Sequence, residues 1–212
     1  MTTTRWWLVR HAPVLGVEGL IYGADDVACD TSDAVSFAAL ARTLPAEAVW
    51  LTSALSRAQL TFEAIRAAGL AAPNAAIEKD LGEQSFGHWQ GKSWSEMEQT
   101  DPETYHAFWQ DPTRSRPPGG ESFQDLIMRV GGVLDRVTAD HAGRDIVAVS
   151  HGGTVRAALS HALELPPEAG MAFTVGTLSV SVIEHVADGL LRGRGGAWRI
   201  VHVNRPPKED RE

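Results

Sequence analysis

Apolar positions along the chain fall into short blocks that alternate with longer, helically periodic stretches. Trp6 to Val9 is a strand-length apolar run ending at Arg10-His11, and Ala48 to Leu51 is a second, ending at Thr52-Ser53. From Arg57 to Ala68 the period becomes helical, with Leu60, Ala64 and Ala67 on one expected face and Gly69 as a stop. Ser122 opens a long amphipathic helix to about His141, in which Phe123, Leu126, Val130, Val133, Leu134 and Val137 recur at three and four residue steps. Asp125, three residues after Ser122, completes the pattern of a capping box. Asp145 to Ser150 is nearly continuous in apolar residues, as expected of a strand covered on both faces, and Thr154 to Leu163 reads as the helix that follows.

Beyond Pro166-Pro167, two β-like runs, Leu178 to His185 and Trp198 to Val203, are separated by Ala187-Asp188-Gly189 and the segment from Gly193 to Gly196, which suggests hairpin-like pairing. The sum predicts an α/β fold: a three-layer α/β/α sandwich with a mainly parallel sheet and an antiparallel contribution near the C-terminus. Residues 1–205 are expected to form one domain, with an inserted lid at about 84–120 rich in glycine and carrying Trp89, Trp94 and Trp109. A polar tail, 206–212, follows.

Length and composition fit that reading. The 212 residues are enough to bury roughly 70% of the surface an unfolded chain exposes. Cys29 stands alone, no Cys/His cluster has zinc spacing, and neither a signal peptide nor a run of about 20 apolar residues occurs. A cytoplasmic protein without metal, cofactor or membrane contact is expected. Nineteen Lys plus Arg against 27 Asp plus Glu leave a net charge of −8, which disfavours a nucleic-acid surface. Lysine is scarce (Lys79, Lys92, Lys208), so the positive charge is almost all arginine, which is shaped to fork onto phosphate or carboxylate.

Ligands of such sheets bind beyond the carboxyl ends of the strands. His11 and His151 both follow apolar strands there, and parallel strands would bring them to one edge. Arg10 and Arg57 share that edge by the same rule. Two arginines and two histidines converging call for a compensating anion, and a phosphoryl group is the natural one. Gly152-Gly153 adds a turn at a helix N-terminus, where amides and dipole favour negative charge.

Five ordered segments carry a resemblance: Leu8-Val9-Arg10-His11-Ala12-Pro13, Thr52-Ser53-Ala54-Leu55-Ser56-Arg57-Ala58, Gly82-Glu83-Gln84-Ser85-Phe86-Gly87-His88-Trp89-Gln90-Gly91, Pro118-Gly119-Gly120-Glu121-Ser122 and Val149-Ser150-His151-Gly152-Gly153. Over about residues 5 to 185 the chain resembles the histidine phosphatase superfamily, in its phosphoglycerate mutase-like branch. The resemblance implies a phosphoglycerate mutase-like fold, a covalent phosphohistidine on His11, a phosphate pocket from Arg10, Arg57, His151 and Gly152, and Glu83 as proton donor. His151, when protonated, would supply one more donor to the phosphate, and His11 is expected to act as a neutral nucleophile with its other ring nitrogen held by a backbone carbonyl.

Tyr22 and Ser122 are the candidates on the substrate side, with helix capping the competing role for Ser122. The short N-terminal segment and abbreviated lid resemble α-ribazole phosphatases and broad-specificity phosphatases more than glycolytic mutases. Ala12-Pro13 stands where the family commonly has glycine after Arg-His. The expected activity is hydrolysis of a small phosphorylated metabolite, with mutase-type phosphoryl transfer and a non-catalytic phospho-ligand binding module as alternatives. A homodimer is left open as the assembly.

Overall fold

A computed structural model describes residues 2–191 and 197–207. The expected Gly193 to Gly196 connection and most of the polar tail lie outside the described residues. Among the described residues, fifteen elements include six strands: β1 (Thr3–Arg10), β2 (Val49–Thr52), β3 (Ala76–Ile77), β4 (Asp145–Ser150), β5 (Val180–Val186) and β6 (Trp198–Arg205). They form one sheet in the order β3-β2-β4-β1-β5-β6. The first four run parallel, while β5 is antiparallel to both β1 and β6.

Side chains alternate across a strand, and this divides the core in two. Trp6 and Leu8 of β1, with Ile146 and Ala148 of β4, face a cluster built with α5 (Phe123–Asp140) and α6 (Gly152–Ala162). Val9, Val147 and Val149 face the opposite cluster, which takes Phe37 and Leu40 from α1 (Ala34–Thr43) and Phe62 and Ile65 from α2 (Ser56–Ala67). The result is the three-layer sandwich.

A 3-10 turn at 79–81 precedes the expected insertion, which contains a second at 87–89, then α3 (Trp94–Thr100) and α4 (Pro102–Gln110). It builds a small cluster of its own from Ile21, Trp89, Met97 and Phe108. Trp89 is buried there, whereas Trp109 rests on Trp94 and Phe108 with nearly half its surface exposed. The short helix α7 (Pro167–Gly170) closes the turn before β5. No helix among the described residues is long and apolar enough to cross a membrane.

Several local expectations differ. The buried face of α2 runs through Ala58, Thr61, Phe62 and Ile65 and leaves Leu60 exposed, because Phe62 and Ile65 offer more apolar area than the alanines. Helix α6 starts at Gly152 rather than Thr154, so both glycines are helical. Ser32 is expected from the sequence to cap α1, but the cap is Asp33, whose carboxylate accepts from Ser36 N. The two-residue edge strand β3 left no periodic signal to find.

Candidate active site

Strand register assembles the site. Arg10 of β1 pairs with Ser150 of β4, so His11 and His151 leave adjacent parallel strands side by side. The His11 N–H donates to Ser150 O at 2.9 Å, and the two imidazole centroids lie 5.1 Å apart. On the other side of β4, Thr52 pairs with Val149, which brings Ser53 to the same edge. Arg57 enters from the first turn of α2, fully buried.

Hydrogen bonds set the state of each ring. His11 Nδ1 lies 2.6 Å from Ala12 O, so that nitrogen carries the proton and donates it to the carbonyl. Nε2 is left unprotonated, buried and without a hydrogen-bond partner among the described residues. Burial pushes the His11 pKa down to about 3; the bond to Ala12 opposes this, and Arg57 and Arg10 add to it. The sequence-based expectation of a neutral ring with one nitrogen on a backbone carbonyl matches this geometry.

Arg57 Nε donates to His151 Nδ1 at 3.2 Å, and a guanidinium has no lone pair with which to accept. Nδ1 is therefore unprotonated, and Nε2–H donates to Ser53 Oγ at 2.7 Å. Burial first, then His11 and Arg57, holds the His151 pKa well below the usual histidine value. The ring is neutral in this structure, because a buried position beside two arginines disfavours a third positive charge.

The arginines supply the positive charge. Arg57 Nη1 donates to Asp25 O at 2.5 Å and Nη2 to Gly23 O at 2.7 Å, while the Tyr22 ring lies 5.3 Å from the guanidinium carbon. Gly23 sits at φ +41, and a Cβ there would stand 2.7 Å from Gln84 O, so glycine is required for its carbonyl to reach Arg57. Arg10 Nη1 donates to Val175 O at 2.6 Å, and its buried Nε has no partner among the described residues. Gly152 packs against Arg10; a Cβ would lie 3.4 Å from Nε.

Glu83 closes the cluster at the start of α6. Its carboxylate accepts from Gln84 N at 2.9 Å and Gly153 N at 3.1 Å. Arg129 of α5 holds the loop that carries it, donating to Asp80 O at 2.7 Å and pairing with Glu121 at 2.6 Å. A Cβ on Gly153 would stand 2.3 Å from Glu83 Oε1. Gly153→Ala is expected to swing the carboxylate aside and lower kcat on alkyl phosphates by about 10²-fold, the scale of a lost proton donor. Steady-state kinetics with an alkyl ester checks it.

The structure thus gathers Arg10, His11, Tyr22, Arg57, Glu83, His151 and Gly152. Ser122 is not among them. Its Oγ donates to Asp125 at 2.8 Å and accepts from Asp125 N, so capping α5 occupies the buried hydroxyl and removes Ser122 as a substrate contact. Ser53, Arg129 and the carbonyls of Gly23 and Asp25 were not recognised from sequence. The strand-edge rule that found His151 also covered Ser53; nothing in the pattern distinguished the others.

Residues 6–200 match the family model of the histidine phosphatase superfamily, branch 1. The chain belongs to this superfamily. It is 34% identical over 139 residues to a bifunctional protein of Mycobacterium tuberculosis, a match spanning 66% of this chain and 37% of that relative, so this chain corresponds to only part of it. It is 29% identical over 177 residues to the adenosylcobalamin/alpha-ribazole phosphatase of Escherichia coli, covering 81% and 85% of the two chains. The crystal structure of the alpha-ribazole phosphatase from Shigella flexneri superposes with a TM-score of 0.76 at 26% identity, over 97% of this chain and 100% of that one.

The depressed histidines of this superfamily member couple its stability to pH. Folded His11 stays neutral down to about pH 3, whereas the unfolded side chain takes up a proton near 6.5. Between those values the unfolded state binds the extra proton, so stability is full above pH 6.5 and is lost as pH falls toward 3. The loss amounts to at most about 1.4 kcal/mol per pH unit for each such histidine. Urea denaturation between pH 7 and 4 should show this slope, and His11→Asn should make it shallower.

Proposed function

We propose that this chain is a phosphomonoesterase that hydrolyses a small phosphorylated metabolite through a covalent phosphohistidine on His11, without a metal ion. The carrying observation is the unpartnered, unprotonated His11 Nε2 facing a cluster whose positive charge comes from Arg10 and Arg57. The phosphatase names of the relatives support the same reading.

In the first step Nε2 attacks phosphorus, the P–N bond forms and the P–O bond to the alcohol breaks. Arg10 and Arg57 neutralise charge on the equatorial oxygens, which is where enzymatic phosphoryl transfer needs it. The leaving oxygen takes a proton from Glu83. In the second step water attacks phosphorus, the new P–O bond forms as the P–N bond to His11 breaks, Glu83 takes the water's proton and inorganic phosphate leaves, restoring both residues. His151 does not itself carry charge; it aligns Arg57 through Nδ1.

Glu83→Gln tests the assignment by leaving group. Turnover of an alkyl phosphate should fall by about 10²–10⁴-fold, and that of p-nitrophenyl phosphate far less, since p-nitrophenolate leaves without a proton. Equal losses on both esters would remove Glu83 as the acid. Activity should persist in chelator, and inorganic phosphate rather than an isomerised ester should accumulate; an isomerised ester would mean a mutase.

A further inference from the structure

Past Glu83 the cluster opens into a cleft of about 250 Å³ that Tyr22 and Gly153 also line. A proton donor must lie within hydrogen-bond reach of the oxygen it serves. The alcohol portion of an ester held at His11 therefore extends past Glu83 into this cleft, an inference resting on the phosphomonoesterase reading above.

Much of the cleft wall is apolar, with Leu20 and Ile21 from the loop after β1, Phe86 and Trp94 from the insertion, and Met171 after α7, while Tyr22, Gln84 and Arg156 supply its polar part beside Glu83. Trp94 is held edge-on by Phe86 and Trp89, so its ring is fixed before anything binds. Leu20 and Met171, by contrast, stand 38% and 47% exposed at the rim. Apolar side chains converging beside a reactive group are what a binding cleft for an apolar body requires.

Charge is scarce there. Arg156 is the one cationic side chain lining the cleft among the described residues, and its Nε already donates to Phe173 O at 2.8 Å. The arginines of the insertion are engaged elsewhere: Arg114 with Asp111 and Glu168, Arg116 with Asp125. An alcohol bearing several hydroxyls or anionic groups would lose water here with few partners to replace it, whereas an apolar ring gains by leaving water.

We propose that this cleft selects phosphomonoesters whose alcohol portion carries an apolar ring, and discriminates against esters of polyhydroxylated or polyanionic alcohols. The test compares 2-phenylethyl phosphate with glycerol 1-phosphate, both alkyl esters that need the same proton. The wild-type protein should show kcat/KM about tenfold or more in favour of the phenyl ester, the scale at which apolar pockets discriminate. Leu20→Ser and Met171→Ser, both at exposed rim positions, should each lower that ratio by about threefold or more, through KM rather than kcat.

A wild-type ratio of one or less, with both esters turned over, overturns the proposal and leaves the phosphatase reading standing. If neither ester releases phosphate, the phosphatase reading fails instead. Calorimetric titration with 2-phenylethylphosphonate and 2,3-dihydroxypropylphosphonate then decides the cleft: tighter binding of the phenyl compound supports it, and equal or weaker binding overturns it.

Discussion

His11→Ala is expected to lose about four orders of magnitude or more in phosphate release, the scale seen when a covalent nucleophile is deleted from an otherwise intact site. The loss should fall on kcat. Arg10, Arg57 and Glu83 are held by Val175 O, by Gly23 O and Asp25 O, and by the amides of Gln84 and Gly153, none of which depends on the His11 ring. Phosphate affinity should therefore survive within about tenfold while turnover disappears. Alkaline quenching of the wild-type protein during turnover should trap phosphate on His11 that is stable to base and released by acid, and the variant should trap none. Retention of full activity in His11→Ala would end the phosphohistidine mechanism.

Arg57→Lys keeps the charge and is still expected to cost about 10³-fold in kcat/KM. The guanidinium makes three bonds in fixed directions, to His151 Nδ1, Asp25 O and Gly23 O, and an ammonium on a flexible stem cannot span them. Losing the Nε donor also frees His151 Nδ1, so its ring loses the partner that fixes its tautomer. Arg57→Lys is thus expected to disturb two groups at once, and Ser53→Ala in the same background should add little, since both act on the orientation of the His151 ring. Kinetics on the two single variants and the double variant measures this coupling; fully additive losses would show that Arg57 and Ser53 act independently.

Much of the fold was legible because its apolar blocks have the lengths and periods of the elements they form. The β4 run from Asp145 to Ser150 is buried on both faces, and the α5 stripe from Phe123 to Val137 faces the core with its Ser122/Asp125 cap in place. Failures came where packing overrode local pattern. Leu60 is a stronger hydrophobe than Ala58, yet the docking angle of α2 buries Ala58 and exposes Leu60. Gly152 and Gly153 weaken a helix by propensity and are helical nonetheless, and at Gly153 the Glu83 carboxylate lies where a side chain would project.

The site divides the same way. Two histidines at the carboxyl ends of apolar strands, with Arg10 and Arg57 beside them, mark the catalytic edge from the order of residues alone, since parallel strands share a direction and the chain must turn at their ends. Which nitrogen of each ring carries a proton was decided only by tertiary contacts. Arg57 Nε and Ser53 Oγ are brought to His151 by neighbouring strands and one helix, and the turn after β1 folds the carbonyl of the next residue, Ala12, back onto His11. Burial then keeps both rings neutral, a property of the dry interior that no spacing along a chain encodes.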